Sequence, residues 1–281
     1  MRNRISVVLI SVTILLLAVM PVFAITGGQE DENGHPYGAL LLVPGYTFCS
    51  GTLIDEDVVL TAGHCTNFWD QAGITEVFVT FDSQAAVDPT TWERTNGTWY
   101  RADSWVTHPD YEDADWPFTY DYGLVILDEP VAGIAPADLP SVYGVDLLTG
   151  DKGQTKVRFN DVGYGQSGVS FELKPYIREY DFIRKYSIQR YNPSVGAVGK
   201  LDPMWLILTN NPSENFGGGC GGDSGSGIFT YEPDAFGTTV LAVHTGGYHM
   251  GYMNRLCARM TSLNHRIDLP AVLDWINGYI D

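Results

Sequence analysis

Residues 49–65 read CSGTLIDEDVVLTAGHC, and the histidine at the end of this stretch sets the reading of everything around it. In EDVVLTA (56–62) the run Val58 to Ala62 is short, rich in β-branched residues and largely apolar, and Gly63-His64-Cys65 follow at once, so His64 stands where a strand ends. The same grammar recurs outward in both directions. YGALLLV (37–43), TEVFVTFD (75–82), YGLVILD (122–128), KVRFNDVGYG (156–165) and TTVLAVHTGG (238–247) are clusters of Val, Ile, Leu, Thr and aromatic residues punctuated by Gly, Pro, Asp and Asn. Such punctuation points to an all-β barrel or sandwich. Only DLPAVLDWINGYI (268–280) differs: Val272, Leu273, Trp275, Ile276 and Ile280 recur at helical spacing, with Asp268 as a cap and Pro270 near the first turn. A C-terminal amphipathic helix packed on the barrel is expected.

The 281 residues include 44% hydrophobic and 18% charged positions, a globular balance, and there is no repeat, heptad or low-complexity tract. The formal charge of −18 excludes a nucleic-acid partner held by a basic face. That charge is uneven. Positions 25–150 carry 21 acidic residues against two basic ones, Arg94 and Arg101, whereas 151–281 carry 13 against 12. The two halves read as two bodies, and the acidic half as a solvated surface, with steering of basic partners as the alternative. The Pro-, Gly- and Asp-rich stretch Asp128–Thr155, where the balance changes, is the candidate linker. The basic-aromatic stretch Lys174–Lys200 reads as an amphipathic strand or helix surface near the pocket, with its charged face solvated and an exosite as the alternative.

Arg2 and Arg4 precede the uncharged apolar run Ile5–Met20, and Pro21-Val22-Phe23-Ala24 completes the pattern of a secretory signal cut after Ala24. The run is shorter than the roughly 20 residues of a spanning helix, so no membrane association is expected after signal removal. An extracellular or periplasmic location follows. There disulfides persist, and the four cysteines admit three pairings. No CxxC spacing suggests a metal, and the acids of 70–93 match no calcium-loop pattern. Asn96-Gly97-Thr98 is a glycosylation sequon or a hairpin turn.

Three separated segments carry chemistry: TAGHC with His64, DYGLVIL with Asp121 and CGGDSGSG with Ser224. A serine hydroxyl needs a base titrating near neutrality to become a nucleophile, and histidine is that base. With Ile25-Thr26-Gly27-Gly28, VTHPDY (106–111), Gly163-Tyr164-Gly165 and the terminal LDWI in matching order, the mature chain resembles the trypsin-like (chymotrypsin-fold) serine endopeptidases along nearly its whole length.

The resemblance implies an all-β fold of two antiparallel Greek-key barrels with a C-terminal helix: a signal peptide at 1–24, a first barrel at 25–140 bearing His64 and Asp121, and a second at 141–281 bearing Ser224. It implies Ser224 as nucleophile, His64 as general base then acid, Asp121 as the orienting carboxylate, and the N–H groups of Gly222 and Ser224 as the oxyanion hole. It pairs Cys49 with Cys65 and Cys220 with Cys257. It also implies that the α-ammonium of Ile25, freed by signal cleavage, pairs with Asp223. The position that carries aspartate in trypsin is Gly218 here, so a Lys/Arg preference is not expected. His244-Thr245-Gly246 and Ser226 resemble bacterial glutamyl endopeptidases, which favours an acidic P1 residue; Gly218 and Gly219 would instead make room for a large apolar one. The expected partners are protein or peptide substrates, the expected state a monomer, and the mechanism calls for no cofactor. A catalytically silent binding protein on the same scaffold is the alternative.

Overall fold

The computed structural model describes residues 28–112, 120–149, 157–170, 177–192, 203–209, 217–232, 235–249 and 260–280. After a short β1 (Gln29–Glu30), six strands form the first barrel: β2 (Gly38–Val43), β3 (Thr47–Leu53), β4 (Val58–Thr61), β5 (Phe78–Thr80), β6 (Tyr100–Thr107) and β7 (Gly123–Leu127). They close in the order β2-β3-β4-β7-β6-β5. The second body contains β8 (Arg158–Gly163), the hairpin β9 (Gly168–Ser170) and β10 (Ile177–Glu179), β11 (Lys185–Tyr191), β12 (Trp205–Thr209), β13 (Gly227–Glu232), β14 (Ala235–Phe236), β15 (Ala242–His249) and β16 (Met260–Arg266). Because β8 pairs with both β11 and β13, the strands β8-β11-β12-β16-β15-β13 also close on themselves. In each barrel the fourth strand in chain order returns beside the first, a Greek-key arrangement. The expected architecture is therefore present twice with one topology.

The unbroken Leu40-Leu41-Leu42-Val43 run has a physical reason. Leu41 and Val43 point into the first core with Val59, Leu60 and Val125, while Leu40 and Leu42 pack on Tyr164 and Phe182 of the second half. Both faces of β2 are buried, so alternation is lost. Val162, Phe229, Val240 and Val243 join the first core from the other side, so one apolar cluster runs through the seam between barrels.

Two helices escaped the strand-and-turn reading, α1 (Gly63–Ala72) and α2 (Gly144–Thr149). Helix α1 starts at Ala62 with no side-chain cap and no acid in its first turn, so the usual start signals are missing; it is held by Trp69, fully buried edge-on to Trp105 at 5.6 Å. The C-terminal helix α3 spans Pro270–Ile276 with proline in its first turn, as expected. Asp268 does not cap it. Its carboxylate instead accepts from the Val145 N–H at 2.8 Å and from Arg266 at 2.9 and 2.8 Å. Val272 and Ile276 of α3 belong to the first core, so the chain's end straps back onto its first barrel.

The expectation of a solvated basic stretch is corrected within 177–192; the rest of Lys174–Lys200 lies outside the described residues. Arg184 and Lys185 are 0% and 1% exposed. The Arg184 guanidinium donates to Asp31 at 2.8 Å, to Gly38 O at 3.1 Å and to Phe81 O at 2.8 Å, tying the N-terminal segment, β2 and the end of β5 to the second half. His35 adds a 2.5 Å contact to the other oxygen of Asp31. Burial opposes ionisation of Asp31, yet His35 and Arg184 outweigh it and hold the carboxyl below its ordinary value.

Candidate active site

His64 is the second residue of α1, and Asp121 lies two residues before β7. The strand pairing β4–β7 places the ends of these segments side by side, Thr61 opposite Gly123. A glycine is required between them: a β-carbon on Gly63 would lie 2.8–2.9 Å from the Tyr122 backbone O and N. Asp121 Oδ2 accepts from His64 Nδ1 at 2.9 Å and Oδ1 from the His64 backbone N–H at 2.6 Å. The carboxylate side chain is 2% exposed and the imidazole 34%, so the orienting group is sealed and the base faces solvent. Burial disfavours the Asp121 charge, but His64 overrides it, with His265 adding to the effect, and the pKa falls below the ordinary carboxylate value. An Nδ1–H held in this way makes Nε2 the basic nitrogen of the ring.

Ser224 arrives from the second barrel. Its carbonyl accepts from the Ser50 N–H at 2.8 Å and lies 4.0 Å from Cys65 Sγ, and Cys65 is bonded to Cys49. The disulfide thus fixes the residues next to both His64 and Ser50 against the nucleophile loop. Within that loop the N–H groups of Asp223, Gly225 and Ser226 donate to Cys220, His244 and Asp223 carbonyls. Those of Gly222 and Ser224 donate to no described residue, and Gly222 and Gly225 have φ of +95° and +87°. Two such donors on either side of Asp223, one of them the serine's own N–H, are suited to a developing oxyanion.

Asp223 is fully buried and accepts from the Gly165 N–H at 2.7 Å and the Cys220 N–H at 2.9 Å. Burial raises its pKa well above the ordinary value and Asp161 adds to this. No cation pairs with it among the described residues. Ile25 and Cys257, the partners expected for Asp223 and Cys220, lie outside the described residues; Cys220 itself is disulfide-bonded.

Gly218 and Gly219 are buried beside the loop. His244, 2% exposed, is tied by its backbone to residues just past the nucleophile: its N–H donates to Ser226 O and its carbonyl accepts from Gly225, both at 2.8 Å. Its Nε2 stands 2.5 Å from where a β-carbon on Gly219 would be. A bulge between His244 and Gly246 leaves Thr245 without a partner in β16, and Thr245 Oγ1 meets His265 Nδ1 at 2.6 Å instead. Of the expected pocket residues, His244 and Gly219 are therefore in contact, while the Thr245 side chain is engaged elsewhere. Asp161 was not anticipated; the signal was an acid in the middle of the apolar strand KVRFNDVGYG.

A buried carboxylate orienting an imidazole, with a glycine-rich serine loop from the second barrel held against the same segment, makes this the candidate site of a serine hydrolase. The Trypsin family model matches residues 25–267, and the chain belongs to that family. It is 25% identical to lectizyme of Glossina austeni, over 92% of this chain and 85% of that protein. It is 32% identical to the thrombin-like enzyme elegaxobin-1 of Protobothrops elegans, over 72% of this chain and 77% of that one. The solved structure of HL collagenase superposes with a TM-score of 0.60 at 18% identity, covering 90% of this chain and 98% of its own, a likeness of fold. The chain is a trypsin-like serine endopeptidase.

Proposed function

We propose that the chain is a secreted, monomeric endopeptidase that cleaves after acidic residues through an acyl-enzyme, with barrels at 25–140 and 141–281. The observation that carries the chemistry is the sealed Asp121 carboxylate holding His64 Nδ1 at 2.9 Å. Ser224 Oγ attacks the substrate carbonyl carbon while His64 Nε2 takes its proton. The Gly222 and Ser224 N–H groups meet the negative oxygen, and His64 then protonates the departing amine. Water, deprotonated by the same imidazole, releases the acyl group and restores Ser224. Cleavage after Ala24 frees the Ile25 ammonium, which neutralises the buried Asp223 carboxylate. The Cys220–Cys257 bridge frames the pocket.

The acidic P1 reading is supported by His244 Nε2 standing in the space left by Gly219. Mass-spectrometric profiling of peptide libraries with residues 25–281, using Ser224→Ala as blank, tests it. Ser224-dependent cuts after Glu or Asp are the expected result. Cuts after Phe, Tyr or Leu would overturn the acidic reading and leave the glycines as the floor of an apolar pocket. No Ser224-dependent cut would overturn the broad endopeptidase reading and leave a highly selective or catalytically silent member of the fold.

A further inference from the structure

Three consecutive backbone N–H groups just past β8 converge on the nucleophile loop. Gly165 donates to Asp223 Oδ1 at 2.7 Å and Gln166 to Gly221 O at 2.8 Å. Tyr164 donates instead to a side chain of the other barrel, Ser50 Oγ on β3, at 3.1 Å, and that hydroxyl donates onward to Gly222 O at 3.0 Å. An N–H only donates and a carbonyl only accepts, so the single hydroxyl proton of Ser50 has one direction in which to point. Ser50 is 0% exposed, and its backbone is engaged as well: its N–H donates to Ser224 O and its carbonyl accepts from Thr61 Oγ1, both at 2.8 Å. It thus grips the carbonyls of Gly222 and Ser224, the two residues whose N–H groups face the developing oxyanion.

A trans peptide points its C=O and N–H in opposite directions, so holding a carbonyl aims the N–H across the bond. Gln166, on Gly221 O, aims the N–H of Gly222; Ser226, on Asp223 O at 2.8 Å, aims that of Ser224. The peptide between them is turned over, with Gly222 O toward Ser50 and the Asp223 N–H donating to Cys220 O at 3.0 Å. Gly222 has φ of +95°, and a β-carbon there would collide with the Phe48 ring, so the position calls for glycine. Glycine is also the residue that turns most easily. Gly222 is half-buried, so its carbonyl, once released, reaches water by swinging outward, and the donors on both sides move with it.

We infer that Ser50 is a positioning residue for the oxyanion hole: its hydroxyl, held by the Tyr164 N–H, pins Gly222 O so that the Gly222 and Ser224 N–H groups stay aimed at one point. The hole is built from second-barrel backbone and kept in shape by a first-barrel side chain next to the Cys49–Cys65 bridge. Loss of the hydroxyl leaves the substrate's binding contacts in place and weakens the donors as negative charge develops, so the effect falls on kcat and not on KM.

This rests on the reading of Gly222 and Ser224 as oxyanion donors, and the test separates the two. For residues 25–281 and Ser50→Ala, kcat and KM are measured per titrated active site on an amide substrate taken from the peptide-library profile. A peptidyl trifluoromethyl ketone with the same P1 residue, isotopically labelled at the ketone carbon, reports on the hole by NMR. Ser224 Oγ bonds to that carbon, the carbonyl π pair moves onto oxygen and the serine proton passes to His64; the labelled carbon's shift against pH gives the pKa of the adduct oxygen. In Ser50→Ala, kcat is expected to fall by about tenfold to a hundredfold with KM within about twofold, and the adduct oxygen to titrate about one to two units higher than in the wild type. Ser50→Gly removes the same hydroxyl without leaving a methyl group and carries the same expectation. An unchanged adduct pKa in both variants, whatever their rates, overturns the role of Ser50 and leaves the oxyanion reading intact. A wild-type adduct oxygen that titrates no lower than the hydrate of the free ketone overturns both. Loss of the folded state in both variants, followed by circular dichroism, assigns the hydroxyl to the fold alone and overturns the inference.

Discussion

At the residue scale the site is a set of tolerances. Asp121 is useful as a carboxylate because it accepts twice, from the ring and from the backbone of the same histidine. Asp121→Asn preserves the shape but stabilises the wrong tautomer, and kcat is expected to fall by about four orders of magnitude with little change in KM, read on an amide substrate after active-site titration. Gly225 is a different case. Its φ of +87° already disfavours any side chain, and a β-carbon there would collide with Thr61 Oγ1 and Ser50 O. Gly225→Ala is therefore expected to displace the nucleophile loop, with loss of both labelling by an active-site phosphonate and peptidase activity. These residues were legible in sequence because their chemistry is tied to local motifs. Asp161 was not, because its neighbours Ser226 and His244 come from other segments of the chain.

At the element scale the seam between barrels is held by side chains that sequence composition misrepresents. Arg184 looked like one base in a solvated stretch; it is buried because its hydrogen bonds converge from Asp31, Gly38 and Phe81, positions separated by up to fifty residues. Arg184→Met leaves Asp31 without its cation and is expected to cost about 3–5 kcal/mol, measured by urea unfolding at pH 7. The pH dependence has a definite sign. Asp31 and Asp121 both titrate below their ordinary values in the fold, so their stabilisation is full above the ordinary carboxylate range and is lost as pH falls through the lowered values. Asp223 behaves in the opposite way while it lacks a cation: its pKa is raised, so folding loses stability as pH climbs from the ordinary carboxylate value toward the raised one. A chain with one residue added before Ile25 is therefore expected to lose melting temperature between pH 4 and pH 7 relative to residues 25–281, as well as activity. Equal melting profiles and full activity of the extended chain would exclude the pairing of Ile25 with Asp223. Most strands were readable from their apolar runs, but α1 was not, since it begins without a capping side chain and is secured by the burial of Trp69.

At the scale of the whole molecule, the acidic excess lies in the half that carries His64 and Asp121, while Ser224 rides on a nearly neutral one. That field favours the approach of cationic substrates, and kcat/KM on peptides carrying lysines away from the cleaved bond is expected to fall as salt rises from about 10 to 300 mM, with neutral peptides unaffected. The overall plan of two barrels followed by the trypsin-family site could be read in order from the chain, because each motif marks the end of a strand. The seam could not, since a core shared by β2, Val162 and Phe229 has no signature in any one segment. That division also bears on how the enzyme comes into being. Ser224 follows Asp121 by roughly a hundred residues, and the nucleophile loop is held by Ser50 and the Cys49–Cys65 bridge of the earlier barrel. A chain emerging from its synthesis machinery thus presents His64 and Asp121 long before Ser224, and helix α3, later still, packs Val272 and Ile276 into the first core. Ser224 can meet His64 only once both barrels have folded against one another.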